Sequence, residues 1–543
     1  MSHRTRRWGA LVAASALTLS GIALAASPAS AVPAFDPHPG TVGADWLAGQ
    51  LTNGLMHNPN YGGFDDYGLS IDAGFALEAV GGHAGDVADI STALAAAIGS
   101  YVTGEPYDAG STYAGPTAKA AVFADLAGAD PTSYGGKDLV AALEGTVSTT
   151  APITGRIVDT STYGDYANVI GQSFAVNALH TAGSTKEADA LAFLLKQQCA
   201  AGYFRLYMTT DKTADDQTCE GGRAAGKSNP DPDATSTAIR MLLPQIDSSA
   251  AVARAIGKAE SWLLGQQRAD GSFGGGTSTS PSNANSTGLA GWALGLLGDT
   301  GAATDAAGWL RGLQADEIAG CANGLTTQTG AIGYNDAGVA AGLTDSITDS
   351  TSDQWRRATV QGLPALVSAA PVTPAVTLQG PAGYVKAGSS VSYLVTGAVP
   401  GEKVCLTGSG AGVRGVAGAN GNATLRTVAP AGTANRVVQV ADRSANTAQT
   451  TTKVLGAKTL RIVLGKSRAR RGHTVQVTVT GLASGERTTL RFRGVTVRTG
   501  SATASGTFVA TINVGRRLGN AAVVAWGQFP TIRHGRAVIT VVR

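Results

Sequence analysis

Asp231-Pro232-Asp233-Ala234-Thr235-Ser236-Thr237-Ala238 places two carboxyl groups two residues apart at the head of a helix-forming run. Burial and a neighbouring like charge both raise a carboxyl pKa, so one of such a pair can stay protonated and act as a general acid. Further acids and amides recur at matching places: Asp65, Asp66 and Asp72; Asp159, Asp165 and Asn168; Asn283 and Asn285; Asp345, Asp349 and Asp353. Gathered at one opening, they would form an acidic rim able to bind a cation or a polar ligand, or to move protons. The competing reading is N-capping, because Asp and Asn accept the free amide hydrogens of a helix start and complement its positive end. Aromatic residues, which a cation-forming reaction would need, are sparse on the helix-forming runs, where Phe75, Phe123, Phe174 and Trp292 are the main ones, and Trp292 is the aromatic binding candidate.

Other chemistries lack their residues. His57, His83 and His180 stand apart with no paired spacing, and Cys321 has no histidine nearby, so no metal and no cofactor is expected. Neither a G-x-S-x-G elbow nor a phosphate-binding loop occurs. Paired acids could also cleave a glycan, but the separation that decides that mechanism is not written in sequence.

The elements that must position these residues repeat. Six segments end in a small-residue helix: 72–81, 117–128, 171–183, 235–246, 286–298 and 357–369. Several follow another helix with a Trp or Leu face, at 46–55, 191–198, 262–267 and 309–314. Each unit reads as a helical hairpin. A hairpin of roughly 55 residues cannot bury its apolar stripe alone, so six copies are expected to close into a ring, with Ala-rich helices inside and amphipathic ones outside.

Between the helices of the fifth unit stands Gln266-Gln267-Arg268-Ala269-Asp270-Gly271-Ser272-Phe273-Gly274-Gly275. Weaker echoes occur at Tyr61-Gly62-Gly63-Phe64, at 197–204 and at Ala331-Ile332-Gly333-Tyr334. The motif resembles the QW-type repeat of the squalene cyclase and protein prenyltransferase superfamily, with Phe273 in the place of the usual Trp. The resemblance covers about residues 44–370 and implies an (α/α)6 toroid, in which the Gln and the aromatic tie neighbouring units together. The run from Asp231 to Ala238 also looks like the D-x-D-D-T-A acid motif of class II terpene cyclases, which would make Asp233 the proton donor. Ala234 replaces the last Asp of that motif, and the second helical domain of full squalene cyclases has no counterpart here. The zinc ligands of the prenyltransferase branch are absent as well. The resemblance therefore supports fold more than activity.

After Pro371 and Pro374 the pattern turns to alternating β-branched residues with Gly-rich turns. Residues 385–405 parallel 469–490, each with a Gly, a strand and a Gly-Glu turn, and both resemble bacterial immunoglobulin-like surface domains. The expected fold class is mainly α: the toroid over 32–371, then two all-β immunoglobulin-like sandwiches over 372–457 and 458–543. Charge divides the same segments. Residues 458–543 hold fifteen Lys and Arg against one acid, Glu486, whereas residues 32–457 carry a net −14. A basic terminal module suggests attraction to a cell-wall polyanion or an anionic envelope surface through a field that salt would screen.

Arg4, Arg6 and Arg7, an apolar run and Ala29-Ser30-Ala31 read as a cleavable leader over 1–31, and no later run is apolar enough to span a bilayer. An exported chain does not meet nucleic acid, so that partner is discounted. Its four cysteines are disulfide candidates: Cys199 with Cys219 by proximity, and Cys321 and Cys405 either bridged or as two buried thiols. The favoured reading is a secreted, envelope-associated protein whose toroid binds a small-molecule, glycan or protein ligand. The binding candidates are Asp65, Asp66, Asp72, Asp165, Asn168, Asn283, Asn285, Trp292, Asp349 and Asp353. The alternative is an exported enzyme, terpene cyclase-like or glycan-processing, using Asp231 and Asp233.

Overall fold

The computed structural model describes residues 35–543 apart from Ala225 and residues 316, 317, 319, 320, 372–375, 409–411 and 443–445. The expected leader, 1–31, lies outside the described residues. The described helices are α1 (His38–Ala48), α2 (Tyr67–Val80), α3 (Ala84–Val102), α4 (Ala114–Leu126), α5 (Leu139–Thr146), α6 (Val169–Thr181) and α7 (Glu187–Lys196). They continue as α8 (Cys219–Ala224), α9 (Pro232–Leu242), α10 (Ala250–Leu264), α11 (Ala284–Leu297), α12 (Thr300–Leu313), α13 (Asp336–Asp345) and α14 (Asp349–Gly362). Among the described residues no helix is long and apolar enough to cross a membrane.

Helices α2, α4, α6, α9, α11 and α14 pack side by side in chain order, and α14 returns to α2, so the row closes. Helices α1, α3, α5, α7, α10 and α12 cover its outside. The ends of the row are tied together: the Asp36 amide donates to the Ala369 carbonyl at 2.9 Å, and Trp46 Nε1 to Gln328 Oε1 at 2.9 Å. Small residues let the inner helices approach closely. A Cβ added at Gly171 of α6 would lie 3.0 Å from the Cα of Gly115 on α4.

The glutamines at the outer-helix ends join the units. Gln198 Nε2 donates to Ala255 O at 2.8 Å, Gln267 Nε2 to Ala302 O at 2.8 Å, and Gln314 Nε2 to Pro39 O at 2.9 Å. Each carbonyl belongs to the next outer helix, and Gln314 thereby links the last unit to the first. Gly271, at φ 88°, lies so close to Asp305 O that no side chain would fit. Phe273 is fully buried beyond it.

Two boundaries differ from expectation. The first outer helix ends at Ala48 rather than running to Leu55, because Asn53 and Gly54 take positive φ and turn two short strands, Leu51–Thr52 and Leu55–Asn58. The inner helices begin two to eight residues earlier than their apolar patterns, since a capping residue opens most of them, and α14 begins at Asp349.

The remainder is β. One five-stranded sheet (Tyr384–Lys386, Thr447–Leu455, Ala434–Asp442, Lys403–Thr407, Val413–Val416) shares a core with the sheet Thr377–Gln379, Ser390–Thr396, Ala423–Val428. The second block repeats that order from Lys458 to Val542, around Val477, Leu490, Val523 and Ile539. Ser390–Thr396 and Thr474–Thr480 bury every second residue, as a strand with one covered face must. The ring thus leads into two β blocks, and the described chain is helical first and β afterwards, in the order expected.

Disulfides join Cys199 to Cys219 and Cys321 to Cys405. The second, left open by the sequence, fastens the loop after α12 to the first β block.

Candidate functional site

A cavity of about 490 Å³ lies inside the ring. A repeated register builds it. The amides of Met56, Ile157, Phe204, Phe273 and Ile332 donate to Ser70 Oγ, Gln172 Oε1, Thr235 Oγ1, Thr287 Oγ1 and Thr359 Oγ1, at 2.8 to 3.0 Å. These acceptors are equivalent positions on five inner helices, and Thr117 is their counterpart on α4. Two residues beyond them stand Asp72, Lys119, Phe174, Thr237, Leu289 and Gln361, and all six line the cavity. One turn deeper on three helices, at helical spacing, come Phe75, Arg240 and Trp292.

The same register explains the recurring acids and amides. Four residues before the acceptors stand Asp66, Asn168, Asp231 and Asn283, whose side chains accept from the amides of Leu69, Gly171, Ala234 and Ser286. These are helix N-caps. The other rim candidates are engaged in pairs. Asp65 meets His57 at 2.9 Å, and Asp353 meets Arg357 at 3.0 Å. Asp66 also pairs with Arg357. Asp165 meets Lys212 at 2.8 Å and Arg156 at 3.1 Å. Burial pushes its carboxyl up, but Lys212 and the Asp159 and Ala167 amides outweigh that and hold it below the usual range. Asp349 opens α14, and Asp345 closes α13.

Of the residues singled out in sequence, Asp72, Asp159, Asn168 and Trp292 line the cavity; Asp65, Asp66, Asp165, Asp231, Asp233, Asn283, Asn285, Asp349 and Asp353 do not. Asp159 sits at the mouth, accepting the Ala114 amide at 2.7 Å and the Tyr166 amide at 2.9 Å. Burial raises its pKa against those donors. Asp72 pairs with Lys119 at 2.6 Å across from Tyr101, whose hydroxyl is pushed well up by burial and by the charges of Asp72 and Asp66.

Asp233 is distinct. It lies four residues before Thr237, on the same helical face, but it is not among the residues that line the cavity, and Gly275 of the loop after Phe273 packs against it. Its Oδ1 is buried without a hydrogen-bond partner, as are Asn285 Oδ1 and Ser286 Oγ. Burial and the charge of Asp231 raise its pKa to about 6, and the nearby Ser286 hydroxyl opposes them only weakly, since it does not reach hydrogen-bond geometry.

Arg240, Lys119 and the tyrosines 101, 113, 163 and 166 also line the cavity, yet none was singled out from sequence. A signal was present for two of them. Lys119 interrupts an Ala-rich helix and Arg240 an apolar one, and a lone cation on a buried helix needs an anion, an aromatic face or a cavity.

No family model and no curated protein matches the chain. Solved structures do. The type II terpene cyclase MstE from Scytonema is 15% identical, covering 61% of this chain and 96% of that one at a TM-score of 0.41. A protein from Actinoplanes is 16% identical, covering 61% and 99% at a TM-score of 0.41. The adhesin InvE of Yersinia pseudotuberculosis is 15% identical, covering 31% and 58% at a TM-score of 0.18. The architecture rests on the closed helical row itself.

Proposed function

We propose that this chain is an exported, envelope-associated binding protein: a ligand-holding α/α toroid over residues 32–371, an immunoglobulin-like spacer over 372–457 and a cationic immunoglobulin-like module over 458–543. The observation that carries the binding reading is the cavity. Its wall is largely apolar and aromatic, its few charges belong to Asp72, Lys119, Arg240 and Asp159, and the acid best suited to catalysis, Asp233, does not line it. Enclosed apolar space with few, placed polar groups suits a small ligand. The cationic module is supported by the burial of Glu486: the one acid of the segment pairs with Arg533 inside the block, so the surface carries cations alone. The two disulfides fit an oxidising, extracellular setting.

A neutral fluorescent probe, prodan, tests the cavity. It is expected to bind at one site and to bind there much more weakly in Thr237→Trp, whose indole projects into the cavity; equal binding by both proteins refutes the reading. For the module, the protein is expected to sediment with isolated cell walls at low ionic strength and to be released by salt. Retention that ignores salt rules out attraction by charge.

A second reading is favoured by one observation, the unpartnered Asp233 carboxyl with its raised pKa. A proton donor at the cavity mouth would make the chain a terpene cyclase-like or glycan-processing enzyme once the Gly275 loop moves aside. Incubation with geranylgeranyl dihydroxybenzoate, named as substrate in one matched cyclase structure, gives the test: a product of unchanged mass, abolished in Asp233→Asn, supports it, and recovery of untouched substrate opposes it.

A further inference from the structure

Arg240 is enclosed by the ring yet makes no hydrogen bond or ion pair with any described residue. Its guanidinium carbon lies over the Trp292 ring, 3.3 Å from the centroid. Trp292 thus covers one side of the group, Arg240 lines the cavity, and the N–H donors at the edge of its fork are left without a partner among the described residues. Burial pulls it down to about 9, partly offset by Asp72, so it remains a cation at neutral pH. Other charges do not satisfy it. Asp72 is held by Lys119 at 2.6 Å, and Asp159 is held by the Ala114 and Tyr166 amides at the start of α4. A buried cation with unused donors is costly unless an anion meets it.

Building on the ligand-binding reading, we infer that the cavity takes a small organic carboxylate: the carboxylate bridges the free edge of the Arg240 guanidinium, and an apolar or aromatic body lies along Phe75, Phe174 and Leu289. A carboxylate matches the geometry because two parallel N–H groups of a planar fork accept it side by side. Trp292 acts as a positioning residue: it fixes the plane of the fork and so the direction from which the anion is met. Among the described residues that line the cavity the only other cation is Lys119, which Asp72 holds, so one anionic group per ligand is expected.

Calorimetric titration of the full protein with 2-naphthoate and decanoate, each against its uncharged carboxamide, tests this. The carboxylates are expected to bind roughly 10- to 100-fold more tightly than the carboxamides, the range of hydrogen bonds to a charged group. Arg240→Met should erase that preference while leaving the carboxamide affinity in place, which shows the cavity still folded. Arg240→Lys should keep part of the preference, because the charge remains and the fork is lost. Equal affinity for acid and amide overturns the carboxylate assignment and leaves the binding cavity standing. Failure of all four probes, together with failure of prodan, removes the cavity reading and this one with it. A preference that survives Arg240→Met overturns the role of Arg240.

Discussion

The two β blocks carry the same Gly-Glu turn and complete it differently. In each, the glutamate is fully buried and folds back on its own turn: Glu402 Oε2 accepts the Val399 amide at 3.1 Å, and Glu486 Oε2 the Ala483 amide at 2.7 Å. Glu486 then meets Arg533 of its own block at 2.7 Å through both oxygens. Glu402 meets Arg311, which comes from α12 of the ring and also holds Asp36 at 2.9 Å. The backbone pairs Gly527 to Arg533 and Asp442 to Asn446 mark equivalent places, so the first block has Asn446 where the second has its arginine. The second block is thus self-contained in this respect, and the first draws its counter-charge from the helical ring. Asp233 is a third acid, partly buried, with neither solution: no guanidinium of the described residues meets it, and it responds by holding its proton to higher pH.

The largest expected effect tests the borrowed pair. Arg311→Met leaves Glu402 and Asp36 buried beside each other, and the loss in urea unfolding should approach about 5 kcal/mol, the upper end for breaking a buried pair. It should fall on the ring and first block together. Restoring neutrality in an Arg311→Met, Asp36→Asn, Glu402→Gln protein should recover most of it; a loss under about 1 kcal/mol would deny that the first block depends on the ring. Removing the Cys321–Cys405 bridge by Cys→Ser at both positions follows. Its sequence separation of 84 against 20 for Cys199–Cys219 predicts roughly 4.5 kcal/mol against roughly 3 by loop entropy. Differential scanning calorimetry of the two double variants checks that order.

Arg533→Met should cost about 3 kcal/mol, confined to the transition of the second block. An equal shift in the ring would show that the second block is not self-contained. The smallest effect concerns the acid without a partner. Asp233 titrates at about 6 in the fold against the ordinary 3.8, so the folded chain binds the extra proton between those values, and stability falls as pH rises through that window. Asp233→Asn, which mimics the protonated form, should gain up to about 3 kcal/mol over the parent at pH 8. The gain should vanish at pH 3.5. An unchanging difference across pH would place the carboxyl in water.

Much of the fold was legible. All six inner helices and the repeated strands could be found from the spacing of small and β-branched residues, because those patterns answer to local periodicity. The end of the first outer helix was missed because Asn53-Gly54 overrode a run that otherwise reads as helix. Asp66, Asn168, Asp231 and Asn283 were seen, and capping was weighed for them, but sequence could not separate a cap from a ligand: both uses need an oxygen beside a helix start. Lys119 and Arg240 were passed over because a single cation on a helix is ordinarily a solvated one.

By itself, the sequence determined that small-residue helices recur six times, that two β repeats follow and that cationic charge gathers in the last block. Those are matters of spacing and composition, carried by neighbours along the chain. Only the tertiary structure decided that the helical row closes, that Glu402 takes its arginine from α12, and that Arg240 rather than Asp233 faces the enclosed space. Each of these depends on which distant segments exclude water together, and burial of a charge is set by those segments rather than by the residue that bears it.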